Sequence, residues 1–237
     1  MAPRAAISNF VMTGVILFFM IIIALLLKGR MRLPSELKAD EAARVAVPAD
    51  VPRAIPVGQK IAEPRAYKTG EFWVLPHAQI VVSRSNDADT LRIRSGLKED
   101  VFVLYGVDAL QALWTHPLRI AAQASYFGGV AQTRVLDTGG QALAWITQLL
   151  SKHPFIVYTK YAQVPQTERY YAFVRVEVEP GKQQDLGELL VRKGFAAPNG
   201  PAPDSLPEAG RTPADYHHQL QKALSQAKAA QVGAWAP

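Results

Sequence analysis

The longest apolar run in the chain lies near its start: Phe10 to Leu27 reads FVMTGVILFFMIIIALLL, without a charge. At about 1.5 Å rise per residue such a run covers roughly 27 Å, close to the ~30 Å hydrocarbon core of a bilayer. The pattern predicts a single spanning helix over residues 9–28, after a short N-terminal flank of 1–8. It is longer than the ~7–15-residue core of a secretory signal, and Lys28-Gly29-Arg30-Met31-Arg32 follows it instead of a small-residue cleavage site. Residues 29–70 then hold Pro34, Pro48, Pro52, Pro56 and Pro64 among alanines and charges, with few large apolar side chains. Such a segment buries too little to order itself and is expected to be a tether.

Beyond residue 70 the apolar positions change period. Residues 79–83, 90–94 and 101–105 are short β-rich runs divided by polar turns, which predicts an antiparallel meander. Leu143, Trp145, Ile146, Leu149 and Leu150 recur at helical spacing within 141–151. Residues 155–158 and 171–178 read as strands, and Leu186, Leu189 and Leu190 mark a short helix that stops near Gly194. A last helix is signalled by Thr212 as cap, Pro213 at the first position and Asp215 three after the cap. Tyr216, Leu220, Ala223, Leu224 and Ala227 share one face of it, and Gly233 is expected to end it. The stretch 112–139 fits none of these patterns and is expected to be an insertion.

Charge is unevenly divided. Residues 1–70 carry ten Lys/Arg against five Asp/Glu, and residues 71–237 carry sixteen against fifteen. The basic excess belongs to the N-terminal part, so nucleic acid is not expected as a partner of the folded region. Lys28, Arg30, Arg32 and Lys38 follow the apolar run, which by the positive-inside bias places the C-terminal part on the cytoplasmic or matrix side. The acid-free start with Arg4 fits a mitochondrial inner-membrane protein facing the matrix. There is no cysteine, which excludes disulfides, thiolate metal sites and cysteine nucleophiles. The histidines form no ligand set: His217 and His218 are adjacent on a helix, and His77, His116 and His153 are scattered.

Two motifs carry a family resemblance. Asp87-Ala88-Asp89-Thr90 and Val103-Leu104-Tyr105-Gly106-Val107-Asp108-Ala109-Leu110-Gln111 resemble the active-site strands of staphylococcal-nuclease-like domains. There the patterns are Asp-Gly-Asp-Thr and Arg-Leu-x-Gly-Ile-Asp-Ala-Pro-Glu. Residues 188–196 and 226–235 are similar to the family's later helix end and to its Gly-x-Trp ending. The resemblance implies an α+β fold over 71–237: a five-stranded OB-type β-barrel with three helices.

In that family, the resemblance implies, two aspartates hold calcium, a glutamate activates water and two arginines clamp the phosphate. Asp89 and Asp108 match the aspartates, but the glutamate is Gln111, the first arginine is Val103 and the second falls at Ala172, with Arg169 and Arg175 nearby. Glutamine accepts no proton from water at neutral pH, and valine offers no bidentate fork. Losing one preorganised donor costs about 10²–10³ in rate. Calcium wants about 6–8 oxygens, so Asp89 and Asp108 are read as turn and strand-end aspartates bonded locally. No catalytic, metal-binding or cofactor-binding residue is therefore assigned. The chain reads as a non-enzymatic structural accessory subunit of a larger membrane complex, such as a respiratory-chain or ATP-synthase assembly. It would meet the lipid bilayer through Phe10 to Leu27 and other subunits through its folded part. The alternatives are a membrane-tethered calcium-dependent nuclease using Asp89 and Asp108, and an OB-type module for nucleic acid or peptide.

Overall fold

Alternating side chains build the sheet, in a computed structural model that describes residues 65–237. The expected spanning helix over 9–28 and nearly all of the expected tether lie outside the described residues. Within them, no helix is long and apolar enough to cross a membrane. The strands are β1 (Tyr67–Thr69), β2 (Phe72–Leu75), β3 (Gln79–Ile80), β4 (Thr90–Ser95), β5 (Lys98–Leu104), β6 (Asp108–Ala109), β7 (Phe155–Gln163), β8 (Arg169–Glu179), β9 (Lys182–Asp185) and β10 (Ala196–Ala197). The helices are α1 (Pro117–Tyr126), α2 (Gln132–Lys152), α3 (Leu186–Arg192) and α4 (Pro213–Ala230), with a 3₁₀ turn at Gly233–Trp235.

In β4, Leu91 and Ile93 point inward and Arg94 outward. In β7, Phe155, Val157 and Thr159 are buried between half-exposed neighbours. A period of two puts one face of each strand in the core. The main sheet is mixed, with strands in the order β1-β2-β7-β8-β5-β4-β3 and β9 added to β8. The expected meander is present, with β3–β4 and β4–β5 antiparallel. Its first strand is shorter than the expected 79–83, although Val81 N still donates to Arg92 O at 2.9 Å. β5 and β8 run parallel, with Leu104 opposite Ala172. Only Pro76, His77 and Ala78 separate β2 from β3, so the chain joins the two sides of this path, turning at His77 with φ 51°.

Four helices replace the expected three. The stretch 112–139 is not an unstructured insertion: it holds α1 and the first two turns of α2, which begins at Gln132 and not near Gln141. Ile120, Ala124, Phe127 and Val135 from this stretch pack with Leu110, Ala197 and Ala234 into a second small core. Ala142, Ile146 and Leu150, further along α2, join the main core with Phe102, Phe173 and Leu91. Gly139 lets α2 pass close to the preceding segment, since a Cβ there would lie 2.3 Å from Gln111 O. β1 also starts inside the stretch expected to be tether.

The ends of the fold follow the local signals more closely. α3 is capped by the Asp185 carboxylate, which accepts from Glu188 N at 2.9 Å, and it stops before Gly194. Thr212 and Asp215 form a reciprocal capping box at α4, and all five apolar positions read from the sequence are buried. Each buried leucine among them contributes about 1.5–3 kcal/mol relative to exposure. Gln231, at φ 50°, ends α4 instead of Gly233, which opens the 3₁₀ turn. Gly106 is required twice over: its φ is +76°, and a Cβ would meet Leu220 and Tyr216 of α4 at 2.8 Å.

Candidate functional site

Asp87 and Thr90 close a tight turn into β4, with Asp87 N donating to Thr90 O at 2.8 Å and Thr90 N to Asp87 O at 3.2 Å. Asp87 Oδ1 accepts from the backbone N of the next residue, Ala88, at 2.9 Å. Ala88 lacks the left-handed φ that would demand glycine, so alanine fits the second position of this motif. The turn aims Asp89 inward, where it is 4% exposed. Its Oδ2 accepts from Ala109 N at 2.7 Å and its Oδ1 from Thr90 Oγ1 at 3.0 Å. Asp108 sits beside it on β6, half-buried.

The structure therefore brings Asp87, Asp89, Asp108 and Gln111 together, as the two motifs imply. What the sequence reading missed is the cation between them. Arg119, from the first turn of α1, donates through Nη2 to Asp89 Oδ2 at 3.2 Å and through Nε to Asp108 Oδ1 at 3.0 Å. Its Nη2 also reaches Asp108 Oδ1. One turn on, Gln123 Nε2 donates to Ala109 O at 2.8 Å and Asp108 Oδ1 at 3.2 Å, and its Oε1 accepts from Gln111 N at 3.0 Å. Residues four apart share a helix face, so α1 presents a guanidinium and an amide together to β6. The spacing of Arg119 and Gln123 shows in the sequence that they share a helix face, but not which carboxylates they meet.

Electrostatics follow from burial. Desolvation pushes the Asp89 carboxyl up to about 6, helped by the charge of Asp87 and opposed by Arg119. Desolvation also raises Asp87, against its bond from Ala88 N and the charge of Arg119. Partial burial works against the charge of Arg119, but Asp89 and Asp108 outweigh it and hold the group above its usual range.

This donor set does not fit a calcium ion. Arg119 takes up the facing oxygens of Asp89 and Asp108, and Gln111 aims its amide nitrogen, a donor, at Asp87 Oδ2 at 2.7 Å. Among the described residues, no group of three or more His, Asp or Glu side chains is placed to hold a metal. Both oxygens of the buried Asp89 are engaged, one by Ala109 N and Arg119 and the other by the Thr90 hydroxyl. Val103 and Ala172, where the family resemblance puts arginines, lie in the sheet without charge, and Ala172 is fully buried. Arg175 points elsewhere, pairing with Glu208 and lying 3.7 Å from Asp185. Arg169 instead lines a cavity of about 560 Å³ next to the cluster, together with Arg84, Asp87, Gln111, Leu113 and Leu143. The histidines stay apart; His153 contacts Glu177 O at 3.2 Å, and His217 and His218 are exposed on α4. No protein-family model matches the chain, and no curated protein sequence matches it.

Proposed function

We propose that residues 71–237 form a catalytically inactive, nuclease-like OB-type barrel that acts as a structural accessory subunit of a larger membrane complex. The path β3-β4-β5-β8-β7-β2 supports the barrel reading: five walls, with the first strand broken at His77 into β3 and β2. The observation that carries the inactive reading is Arg119 lying across Asp89 and Asp108. A built-in cation neutralises the carboxylates that a metal would otherwise need, and Gln111 offers no base. The cluster becomes a structural clasp that pins α1 to β6.

The Phe10–Leu27 run supports anchoring by one spanning helix, and the basic residues after it support a matrix-facing orientation in the mitochondrial inner membrane. The partners are the other subunits of that complex. Purification of the full chain from its native membrane in mild detergent tests this. Stoichiometric co-purification with other membrane subunits is the expected result; a chain that migrates alone, with residues 33–70 open to protease, overturns it.

A further inference from the structure

The surface around the cavity combines exposed apolar side chains with exposed arginines. Leu113, Trp114 and Leu118 are 61%, 54% and 88% exposed, on the stretch leading into and opening α1. Across the cavity, Arg84 and Arg169 are exposed and pair with no carboxylate among the described residues, whereas Arg119 on the same wall is committed to Asp89 and Asp108. The one acid lining the cavity, Asp87, is held by Gln111 and Ala88. Leu118 borders a shallow second depression that shares Thr115, His116 and Arg119 with the first, so the apolar and cationic side chains belong to one face. Val82, 80% exposed, precedes Ser83 on the same rim.

We propose that this face seats on the bilayer surface: Leu113, Trp114, Leu118 and Val82 enter the interfacial layer while Arg84 and Arg169 meet lipid phosphates. The proposal rests on the reading of Phe10–Leu27 as a membrane anchor. Residues 28–64 then connect anchor to domain, and whatever their conformation they span at most roughly 130 Å. That limit holds the face at an effective concentration on the order of 0.1–1 mM near lipid, so weak interfacial affinity suffices to populate the docked state. The composition fits the site. Indole belongs at headgroup depth, leucines gain by leaving water, and guanidinium pairs bidentately with phosphate. Two exposed arginines beside apolar side chains favour anionic lipid over a neutral protein surface.

The test uses the full chain in nanodiscs made either of phosphatidylcholine or of a mixture with about one-third phosphatidylglycerol, with brominated acyl chains as quencher. Trp114 is one of four tryptophans, and residues 1–65 contain none, so subtracting Trp114→Phe isolates its emission. Quenching that removes up to about a quarter of total emission in the anionic discs, is reduced at least about threefold by the double substitution Arg84→Glu/Arg169→Glu, and weakens with salt is the expected result. Both arginines are exposed and pair with no carboxylate among the described residues, so this double variant keeps the fold, checked by circular dichroism. Wild-type emission that brominated lipid lowers no more than that of Trp114→Phe overturns the proposal. So does a cross-link from position 114 to a protein or nucleic-acid partner with no lipid quenching. Alkaline carbonate extraction reads the anchor separately: release of the chain removes the anchor reading, while Trp114 quenching still reports docking.

Discussion

Replacing Asp89 with asparagine separates the cost of burying a charge from the value of the bonds it makes. The substituted amide keeps an oxygen for Ala109 N and Arg119, and its nitrogen can donate to the Thr90 hydroxyl, which accepts as readily as it donates. The wild-type carboxyl is raised from 3.8 to about 6, a shift of roughly 2 units at 1.36 kcal/mol each, or about 3 kcal/mol. The sign is fixed by linkage. The folded state holds this proton more tightly than the unfolded chain, so the stabilisation is complete below pH ~4 and is lost as pH rises through ~6. The asparagine variant has no such loss. Thermal or urea unfolding of the detergent-solubilised chain between pH 4 and 7.5 is therefore expected to show the variant gaining about 2–3 kcal/mol on wild type across that range. Asp185, also raised by burial, is common to both proteins and cancels, whereas the repulsion between Asp87 and Asp89 is part of the Asp89 shift and disappears with the substitution. Parallel curves, or a variant that loses ground as pH rises, would refute the reasoning. Either would mean that Arg119 outweighs desolvation.

Two further substitutions probe the same region. Arg119→Met leaves Asp89 and Asp108 without their cation; breaking a buried pair costs about 3–5 kcal/mol. Because Arg119 is 41% and Asp108 24% exposed, solvent screening reduces the expected loss to about 1–3 kcal/mol by chemical unfolding. Calcium at millimolar levels should raise the melting temperature of this variant and not that of wild type. Gly139→Ala drives a methyl to 2.3 Å from Gln111 O, and backbone on both sides cannot yield, so a loss of about 2–3 kcal/mol is expected in the same assay. A variant within about 0.5 kcal/mol of wild type would show that α2 is not held against Gln111.

Elements whose signals are local were legible in the sequence. Thr212, Pro213 and Asp215 fix the start of α4 through bonds within one turn, and the α4 stripe is buried at the five positions its period marks. The strands flanking the two motifs follow from alternation, while the placement of Asp89 beside Asp108 was implied only by the family resemblance. The early helix was not legible: Pro117–Tyr126 is opened by His116 without a side-chain cap, and its apolar positions pack in a small core that includes Ala197 and Ala234, far away in the chain. For the same reason Arg119 could not be seen as the counter-ion of Asp89, thirty residues upstream. Gly139 and Gly140 stand inside α2 despite their low helix propensity, and close approach to Gln111 accounts for Gly139. The end of α4 was misplaced by two residues because Gln231 adopts a left-handed conformation usually left to glycine.

If Arg119 occupies the carboxylate cluster and leaves no metal-dependent chemistry, the domain is inert as a nuclease. Incubating the purified full chain with single-stranded DNA and calcium, beside an Asp89→Asn/Asp108→Asn blank, tests this most directly. The predicted result is no cleavage above the blank at any calcium concentration, and calcium-dependent cleavage that the double substitution abolishes would contradict it.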